Sequence, residues 1–517
     1  MLTPFQNEPL TNFADPQQQA AFAAALARVQ AECGRQYPLV IGGQRLMTEA
    51  VIRSTNPSHP DQVIGVTGKA DRALAEQAMQ AALTAFESWS RTDPLARARI
   101  LLKAAAIIRR RKHEFSATMV LEIGKTWVEA DADLAEAIDF LEFYPREMFR
   151  IHAEPYHTPY AGEENSVYYR PLGVGLVIPP WNFPAAICYG MTAAALVSGN
   201  TVILKPASIT PVIAARFVEA LAEAGLPPGV LNFLPGPGGE VGDYLVQHPQ
   251  TRFISFTGSK EVGIRIFEQA ARVQPGQKWL KRVIAEMGGK DAIVVDSECD
   301  LDEAAGSIIT SAFGFQGQKC SACSRVIAVA GVYDALLAKL KERAEALTVG
   351  DPAQFGVNLG PVADASAYKS ILEYIAIGKG EGRLVAGGGP ATGAGEGYFI
   401  QPTVIADLPP RARISCEEIF GPVLAVQKAD TFEAAIALAN DTEFGLTGGV
   451  ISRNREHLEY ARREFQVGNL YFNRKITGAL VDVQPFGGFN MSGTDSKAGG
   501  RDYLLLHTQM QSVTERF

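Results

Sequence analysis

The sequence predicts an α/β protein built on mostly parallel sheets, and two patterns carry that prediction. Short apolar strands alternate with helical segments over residues 173–272, and a second run of the same kind extends from about residue 292 to 473. Strands without a polar face belong to sheets that helices cover on both sides. At roughly 150 residues per domain, a chain of 517 residues allows about two to four structural units.

The elements of both runs are predicted from apolar stretches and turn residues. A helix over 211–224 is the clearest, because Pro211 suits its first turn and Gly225 its C-cap. The other elements predicted for the first run are strands at 173–178, 201–205, 230–234 and 252–256 and helices at 185–197, 239–247 and 261–272. The second run is predicted to contain a strand at 292–295 and helices at 302–314, 333–347 and 432–440.

Other regions depart from this alternation. Residues 71–111 and 115–149 are rich in alanine and are predicted as long amphipathic helices. Residues 156–170 and 504–517 have strand-rich composition and are predicted as arms that pair with a neighbouring subunit. The uncharged stretch 171–204 is long enough to imitate a membrane span. Its prolines split it into short elements, so we expect it in a soluble interior.

Composition and charge narrow the functional class. A net charge of −8 at pH 7 argues against nucleic acid and anionic membrane partners, which attract basic patches. Residues 1–12 contain neither the basic nor the apolar run of a secretory signal, so we expect a cytoplasmic protein. The six cysteines are then expected to be reduced thiols rather than a disulfide framework.

One cysteine lies in a segment suited to a nucleophile. Cys320 ends the sequence Phe-Gln-Gly-Gln-Lys-Cys at a predicted helix end. A nucleophilic thiol needs positive potential and solvent access, and Lys319 and backbone N–H groups could supply the potential. Two other interpretations stay open, namely burial as a small apolar side chain and a CxxC pair with Cys323. A lone CxxC is weak support for zinc, and we expect no metal site.

Two polar residues could assist such a thiol. Glu286 ends an apolar strand before two glycines, where a carboxylate can have a raised pKa and activate water. Asn182 lies in Pro-Pro-Trp-Asn-Phe-Pro between a strand and a helix, where its amide could donate to an oxyanion. Taken singly, Glu286 is better explained as a solvated strand end, and the alternative for Asn182 is an ordinary proline-rich turn.

Further segments follow predicted strands, where α/β proteins bind ligands. Lys205 could meet ribose hydroxyls or phosphate, although most such lysines are merely solvated. Phe-Thr-Gly-Ser at 256–259 opens a helix, which is a place suited to anions. The glycines at 236–242 miss the GxGxxG spacing because the last interval is one residue too long. Each of these signals is weak by itself.

Taken in order, six motifs resemble the aldehyde dehydrogenase superfamily from about residue 40 to the end: PWNFP, KPA, FTGS, EMGGK, QKC and EEIFGP. The resemblance implies an aldehyde-dehydrogenase-like α/β fold in three parts. These are a Rossmann-like NAD-binding domain (1–150 and 171–283), an α/β catalytic domain (284–482) and a β-strand oligomerisation arm (151–170 and 483–517). It also implies a homo-oligomer, either a dimer or a dimer-based assembly.

The resemblance further implies a mechanism and a cofactor. Cys320 would attack an aldehyde, Asn182 would hold the oxyanion, and Glu286 would activate water to hydrolyse the thioester. The cofactor would be NAD, with contacts from Ile178, Pro179, Trp181, Lys205, Ser208, Gly238, Gly242, Phe256, Thr257, Gly258, Ser259, Met287, Gly288, Glu418 and Phe420. Ser208 stands where many NAD-selective members carry glutamate, so nothing there repels a 2′-phosphate and NADP use stays open.

The substrate is indicated by a second, narrower resemblance. Thr-Gly-Ala at 477–479 and Gln-Pro-Phe-Gly-Gly at 484–488 resemble the anchor loop of 1-pyrroline-5-carboxylate dehydrogenases. Those enzymes oxidise L-glutamate γ-semialdehyde to L-glutamate, the second step of proline degradation. The resemblance implies substrate contacts from Glu136, Phe183, Ser321, Gly478, Ala479 and Phe486. For Glu136 the alternative is the solvated face of an acidic helix.

Several rival functions remain at this stage. A general NAD(P)-dependent dehydrogenase for betaine or succinate semialdehyde would share the catalytic motifs but has no reason to carry the anchor loop. Phosphorylating relatives pair the cysteine with a histidine, and the nearest ones in sequence are His248 and His457. CoA-acylating relatives lack the carboxylate at Glu286, and a non-catalytic relative would be expected to lose it or Cys320. The chain is too short for a proline-oxidising domain but compatible with a separate proline dehydrogenase partner.

Overall fold

Two seven-stranded sheets form the centre of the computed structural model, which describes residues 3–153 and 158–517. The strands are β1 Arg35–Tyr37, β2 Leu39–Ile41, β3 Gln44–Leu46, β4 Val51–Asn56, β5 His59–Gly68, β6 Glu163–Pro171, β7 Val174–Ile178, β8 Thr201–Leu204, β9 Leu231–Phe233, β10 Thr251–Thr257, β11 Arg282–Glu286, β12 Ala292–Val295, β13 Arg325–Val329, β14 Arg383–Ala386, β15 Thr403–Ala406, β16 Val423–Ala429, β17 Phe444–Gly445, β18 Thr447–Ile451, β19 Asn469–Phe472, β20 Phe489–Asn490 and β21 Thr508–Arg516. The helices are α1 Pro16–Ala31, α2 Arg72–Trp89, α3 Pro94–Arg110, α4 Lys112–Ile123, α5 Trp127–Ala153, α6 Ala186–Val197, α7 Pro211–Ala224, α8 Asp243–Gln247, α9 Lys260–Ala271, α10 Leu301–Phe313, α11 Tyr333–Glu345, α12 Ala365–Glu381, α13 Arg413–Cys416, α14 Phe432–Asn440 and α15 Arg455–Glu464.

The first sheet has the order β11-β10-β7-β8-β9-β2-β3. Its strands from β11 to β9 are parallel, and the hairpin of β2 and β3 extends it in the antiparallel sense. Helix α7 begins at Pro211 and ends before Gly225, whose φ of +99° suits glycine, as the sequence predicts. The helix predicted at 239–247 is a π-helical turn, Gly238–Gly242, followed by α8.

The second sheet has the order β14-β15-β16-β13-β12-β18-β19, and only β14 runs antiparallel to its neighbour. Alternate residues of β12 enter different cores, with Ile293 on one face and Val294 on the other. The same holds for Leu176 and Val177 of β7 in the first sheet. Both sheets are therefore buried on both faces, which explains the nearly uncharged strands and confirms the predicted α/β class.

The uncharged stretch at 171–204 folds as β7, α6 and β8, and nearly all of it is buried in the first sheet and its covering helix. Nowhere in residues 3–153 and 158–517 is there a helix of the length and apolar character needed to cross a bilayer. The alanine-rich regions form four helices rather than two long ones. Asp93 caps a new helix before Pro94, and Gly124 ends α4 in a left-handed conformation with φ +73°.

The two predicted arms pair with each other in this chain. β6 runs antiparallel to β21, from Thr508 opposite Pro171 to Arg516 opposite Glu163. The predicted tail strand therefore begins at 508, after a 3-10 turn over Tyr503–His507. Tyr156, at the start of the first predicted arm, lies outside the described residues.

The chain crosses from the first sheet to the second in a short connection. β11 pairs with β10 up to Glu286 and β12 starts the second sheet at Ala292, so the predicted boundary at 283/284 falls within β11. The predicted arm range 483–517 also has two parts. Only 508–516 pairs with β6, whereas Ser492 accepts a hydrogen bond from Met287 N at 2.7 Å beside the end of β11.

Candidate active site

Strand register lines up the first group of predicted residues at one edge of the first sheet. In the parallel pairs, Ile178 lies opposite Phe256 and Thr257 opposite Glu286, while Lys205 directly follows β8. The carboxyl ends of parallel strands meet at one sheet edge, which is where α/β proteins bind ligands. The structure therefore brings these predicted residues together, although they are widely separated in sequence.

The segment before Cys320 has a strained backbone. After α10 ends at Phe313, three successive residues have left-handed conformations, namely Phe315 (φ +49°), Gln316 (φ +57°) and Gly317 (φ +68°). For the two non-glycine residues such conformations cost on the order of 1–3 kcal/mol each. Gln316 compensates by donating through Nε2 to the carbonyls of Gly124 (3.1 Å) and Pro361 (2.7 Å). These contacts fix the turn that presents the thiol.

Asn182 reaches this turn from the first sheet. Its buried Nδ2 donates to the carbonyl oxygen of Gln318 at 3.1 Å, two residues before Cys320. The Gln318 side chain in turn accepts from the backbone N of Ala363 at 2.8 Å. An ordinary proline-rich turn would leave the amide in solvent, so the structure favours the predicted place beside the nucleophile.

The charges around Cys320 differ from the prediction. Burial, and then the carboxylates of Asp291, Glu418 and Glu286, raise the pKa of the partly exposed Cys320 thiol above its usual range. Lys319 does not offset them, because its Nζ lies 2.7 Å from a carboxylate oxygen of Glu129. The expectation that Lys319 supplies positive potential is therefore wrong, and the charges that act on the thiol raise its pKa.

The other interpretations of the thiol are weakened. Cys323 is fully buried and its Sγ donates to the Arg325 carbonyl at 3.2 Å, as expected of a packing residue. All six cysteines lie in the described ranges and none forms a disulfide. The two histidines considered as partners bind elsewhere, His457 to Asp296 (2.8 Å) and His248 to Glu76 (3.1 Å).

Glu286 is not a solvated strand end. One carboxylate oxygen accepts from the Ser496 hydroxyl at 2.5 Å and the other from the Gly488 backbone N at 3.3 Å. Burial raises the pKa of Glu286 to about 7, although these hydrogen bonds oppose the rise. A Cβ at Gly493 would approach the carboxylate to 2.9 Å, so glycine is needed for the close fit. A carboxyl with this pKa can accept a proton near neutral pH.

Several predicted cofactor residues lie at the same edge of the first sheet as this carboxylate. Lys205 is buried, which lowers its pKa to about 8, and its Nζ has only a long contact to the Pro206 carbonyl at 3.5 Å. Glu418 accepts from the backbone N of Gly289 at 3.0 Å, and a Cβ at Gly288 would overlap its carboxylate. This edge of the sheet therefore holds a lysine ammonium that makes only one weak contact, and a glycine whose backbone lies against a carboxylate.

The remaining predicted cofactor residues include the N-cap of a helix and two aromatic side chains. Ser259 caps α9 by accepting from Val262 N at 3.4 Å, so the helix N-terminus begins beside Gly258. Trp181 and Phe420 meet edge to face with ring centroids 5.4 Å apart. The other predicted members form the buried or rim surfaces: Pro179 and Met287 are buried, Gly242 lies with its hypothetical Cβ 3.5 Å from Lys205 Cε, and Gly238 and Ser208 are exposed.

The predicted substrate residues come from four separate segments of the chain. Ser321 is buried directly after Cys320, and Phe183 lies one residue after Asn182. Phe486 is half-buried, and its backbone N donates to Ala498 at 2.9 Å. In the anchor loop, Gly478 has φ +73° and is exposed, and Ala479 is half-buried. The loop is therefore accessible, and its turn requires a left-handed residue at 478.

Glu136 differs from every other acid of helix α5 between 129 and 147. Burial, followed by repulsion from Asp133 and Asp139, raises the pKa of its half-buried carboxyl to about 8. Within the described residues Glu136 has no hydrogen bond or ion pair. The other acids are paired as follows: Glu129 with Lys319, Asp131 with Lys112, Asp133 with Lys125, Asp139 with Asn7, Glu142 with Arg109 and Arg146, and Glu147 with Arg150. The solvated-face interpretation of Glu136 is therefore wrong.

Sequence reasoning missed three residues that support this site. Lys125 forms a fully buried ion pair with Asp133 at 2.9 Å, and its ammonium lies 4.0 Å from the ring centroid of Phe183. Ser496 bonds to Glu286. A lysine in an apolar helix connection was the only available signal for Lys125, and nothing in the sequence marks Ser496.

Comparison with known proteins agrees with this geometry. The profile of the aldehyde dehydrogenase family matches residues 46–513. The chain belongs to the aldehyde dehydrogenase family. Within the family, it is 62% identical to the 1-pyrroline-5-carboxylate dehydrogenase of Geobacillus thermodenitrificans over 517 residues, which is all of both chains.

Solved structures are also similar to this chain. A 1-pyrroline-5-carboxylate dehydrogenase from Thermus with bound NAD is 55% identical and superposes over 100% of both chains with a TM-score of 0.98. Proline utilization A from Bdellovibrio bacteriovorus is 45% identical, with a TM-score of 0.97. The match covers 99% of the present chain but 53% of that longer one.

Proposed function

We propose that this aldehyde dehydrogenase oxidises L-glutamate γ-semialdehyde, in equilibrium with 1-pyrroline-5-carboxylate, to L-glutamate with NAD, the second step of proline degradation. The observation that carries the substrate assignment is the unpaired, half-buried carboxyl of Glu136. A buried carboxylate requires a cationic partner, and the α-ammonium of an amino acid supplies one. The names of the similar full-length enzymes support the same substrate.

The other contacts complete recognition of a zwitterion. Backbone N–H groups at Gly478 and Ala479 and the Ser321 hydroxyl would hold the α-carboxylate, since a glycine turn is a suitable carboxylate nest. Phe183 and Phe486 would flank the aliphatic stem. The Lys125 ammonium lies over the Phe183 ring, and this cation–π contact would help to hold the ring in place beside the substrate.

The chemistry proposed for the site is covalent. The Cys320 thiol gives its proton to solvent water, and the thiolate attacks the aldehyde carbon to form a thiohemiacetal whose oxygen carries the negative charge. The Asn182 amide and the Cys320 backbone N–H would hold the oxyanion, at about 3–4 kcal/mol per donor. The Asn182 amide now donates to the Gln318 carbonyl, and its Nδ2 carries a second N–H that could serve this role. When bound, NAD accepts the hydride that converts this adduct to a thioester.

Glu286 is proposed to release the product. Its carboxylate takes a proton from water as the water oxygen attacks the thioester carbon, and the sulfur leaves as the thiolate of Cys320. A base with a pKa of about 7 is half ionised at neutral pH, which suits this proton transfer. Hydrolysis rather than transfer to coenzyme A is supported by the presence of this carboxylate.

The predicted cofactor residues at the edge of the first sheet have the chemistry needed to bind a dinucleotide. Lys205 and Glu418 would hold the ribose hydroxyls, and Ser259, at the start of α9, would lie by the pyrophosphate. The overlap that a Cβ at Gly288 would make with Glu418 shows how closely the backbone approaches this acid. Ser208 is exposed and uncharged, so the site does not repel the 2′-phosphate of NADP.

The assembly and partners are proposed on narrower grounds. The β6–β21 ribbon carries exposed apolar residues, including Met510 at 65% and Phe517 at 81% exposure, which suits pairing with a second copy. Because proline utilization A is about twice as long as its match to this chain, a separate proline dehydrogenase is the proposed partner. The cytoplasm is the proposed location.

A substrate panel tests the proposal. We expect kcat/KM for glutamate semialdehyde to exceed that for succinate semialdehyde, betaine aldehyde and a simple aliphatic aldehyde by about 100-fold or more, since a buried unpaired carboxyl penalises ligands without an ammonium. The second candidate, a general aldehyde dehydrogenase, predicts comparable values across the panel. Repeating the panel with Glu136→Gln should remove most of the preference.

A further inference from the structure

The hydroxyl of Ser496 is the shortest polar contact of Glu286. We propose that Ser496 is a positioning residue that holds Glu286 ionised and oriented for thioester hydrolysis. This inference rests on the proposed function, in which Glu286 is the base. Ser496 itself is buried and donates to Glu286 at 2.5 Å, and the second carboxylate oxygen is held by Gly488 N at 3.3 Å. Each carboxylate oxygen therefore has its own donor.

The segment around Ser496 is built to hold this hydroxyl in place. Its neighbours Asp495 (φ +53°) and Lys497 (φ +48°) are both non-glycine residues in left-handed conformations. Such strain persists only where surrounding contacts enforce it, and it is common at functional sites. Lys497 supplies those contacts, because its Nζ donates to the carbonyls of Gly468 (2.8 Å) and Gly487 (2.7 Å).

The same segment is joined to the strand that carries the base. Thr494 N donates to the Ala285 carbonyl at 2.9 Å, and the Thr494 hydroxyl accepts from Ala285 N at 3.1 Å. Thr494 and Ser496 thus flank one end of β11 with two hydroxyls of different use. That of Thr494 binds backbone, and that of Ser496 binds the carboxylate of Glu286.

The Ser496 hydrogen bond affects the protonation of Glu286. An ionised carboxylate only accepts hydrogen bonds, so a hydroxyl donor stabilises it over the protonated acid. The charged and titratable groups that face Glu286 are Lys497, which also favours the ion, and the Cys320 thiol and Tyr503 phenol, which are neutral at pH 7. Ser496 and Lys497 therefore oppose the burial that would otherwise protonate the base.

Ser496→Ala tests the proposal, with Ser496→Thr as the conservative variant and Thr494→Val as the matched control. The readout is the fraction of Cys320 carrying an acyl group during turnover with glutamate semialdehyde and NAD, measured by acid quench and peptide mass spectrometry across pH. We expect Ser496→Ala to move the pH at which acyl-enzyme disappears upward by about one to two units. The two profiles should converge only about two units above the raised pKa of the variant, at roughly pH 10 to 11.

The outcomes separate this inference from the proposed function. Ser496→Thr should restore the wild-type pH profile. Thr494→Val should lower thermal stability but leave the pH profile of acyl-enzyme unchanged. A Ser496→Ala profile equal to wild type, or an equal shift in Thr494→Val, overturns the role of Ser496 alone. If acyl-enzyme is absent from Glu286→Gln as well, the proposed hydrolytic mechanism itself fails.

Discussion

The Nζ of Lys319 lies 2.7 Å from a carboxylate oxygen of Glu129, so the lysine next to the nucleophile is paired away from it. The carboxylates of Asp291, Glu418 and Glu286 are then the charges that act on Cys320. All three have the same sign and raise the pKa of the thiol. Because a raised pKa lowers the thiolate fraction, we expect Cys320 to react slowly with alkylating agents in the absence of ligands.

Alkylation of Cys320 should show this low reactivity. Without cofactor, we expect the rate with iodoacetamide to keep rising with pH beyond the range of an ordinary thiol, whose pKa is about 8.5. Glu286→Gln should raise the rate at a fixed pH, because one of the repelling carboxylates is lost. Peptide mass spectrometry would separate Cys320 from the other partly exposed cysteines. A plateau below about pH 8 would show that another group activates the thiol.

Glu286→Gln should separate the two halves of the reaction. The first turnover should still produce NADH in a burst, because the base is needed only after the thioester has formed. The steady-state rate should fall by about 100-fold or more, the usual contribution of a general base. In the wild type, acyl-enzyme hydrolysis should increase with pH through about 7, since Glu286 must lose its proton first. Rapid-mixing kinetics measure both phases, and an undiminished steady state would exclude Glu286 as the base.

Glu136 should make ligand binding depend on pH. Its raised pKa of about 8 means that at pH 7 the empty site holds mostly the protonated acid, and an α-ammonium binds only the ionised form. Binding of L-glutamate should therefore release a proton at pH 7 and tighten as the pH rises toward about 8. Calorimetry in buffers of different ionisation enthalpy measures the proton release. Glutarate, which lacks the ammonium, is the matched ligand, and Glu136→Gln is the matched variant; both should remove the effect.

Much of the fold is predictable because burial leaves a direct trace in the sequence. The strands predicted at 173–178, 201–205 and 292–295 and the helix predicted at 211–224 lie at or within one residue of their observed ends. Other buried strands of the second sheet, such as Arg325–Val329 and Thr447–Ile451, were not predicted. The arms were recognised as strands, but not as partners of each other. Pairing between β6 and β21 joins residues 337 or more positions apart, and composition holds no information on such partners.

The same contrast between local and long-range information applies to the candidate site. Cys320, Glu286 and Asn182 were predicted because each lies in a local motif at the end of a strand or helix. Their partners were missed, since Ser496 lies 210 residues from Glu286 in sequence and Lys319 lies 190 from Glu129. Charge at the nucleophile was consequently predicted with the wrong sign. Local sequence indicates which groups react, whereas long-range packing determines their pKa.

The buried ion pair of Lys125 and Asp133 should contribute strongly to the free energy of unfolding. Lys125→Met leaves an unpaired buried carboxylate and should lower the free energy of unfolding by about 3–5 kcal/mol. Adding Asp133→Asn should recover a large part of the loss, because the amide oxygen can still accept from Ala186 N. Chemical denaturation of both variants measures this. Equal losses in the single and double variants would show that the pair is not coupled.

Cofactor preference should respond to a single charge. Ser208→Glu introduces a carboxylate at the position proposed to lie near the 2′-phosphate of NADP, and we expect kcat/KM for NADP to fall about tenfold or more relative to NAD. Ser208→Gln adds similar bulk without charge and should leave the ratio closer to wild type. Steady-state kinetics with both cofactors test this, and an equal effect of the two substitutions would point to bulk rather than charge.

The most direct test of the covalent mechanism uses Glu286→Gln mixed with glutamate semialdehyde and NAD, then quenched in acid and digested. We expect a glutamate-derived acyl group on the peptide that contains Cys320, in an amount equal to the NADH of the burst. NADH formed without an adduct, or an adduct on a different residue, would contradict it.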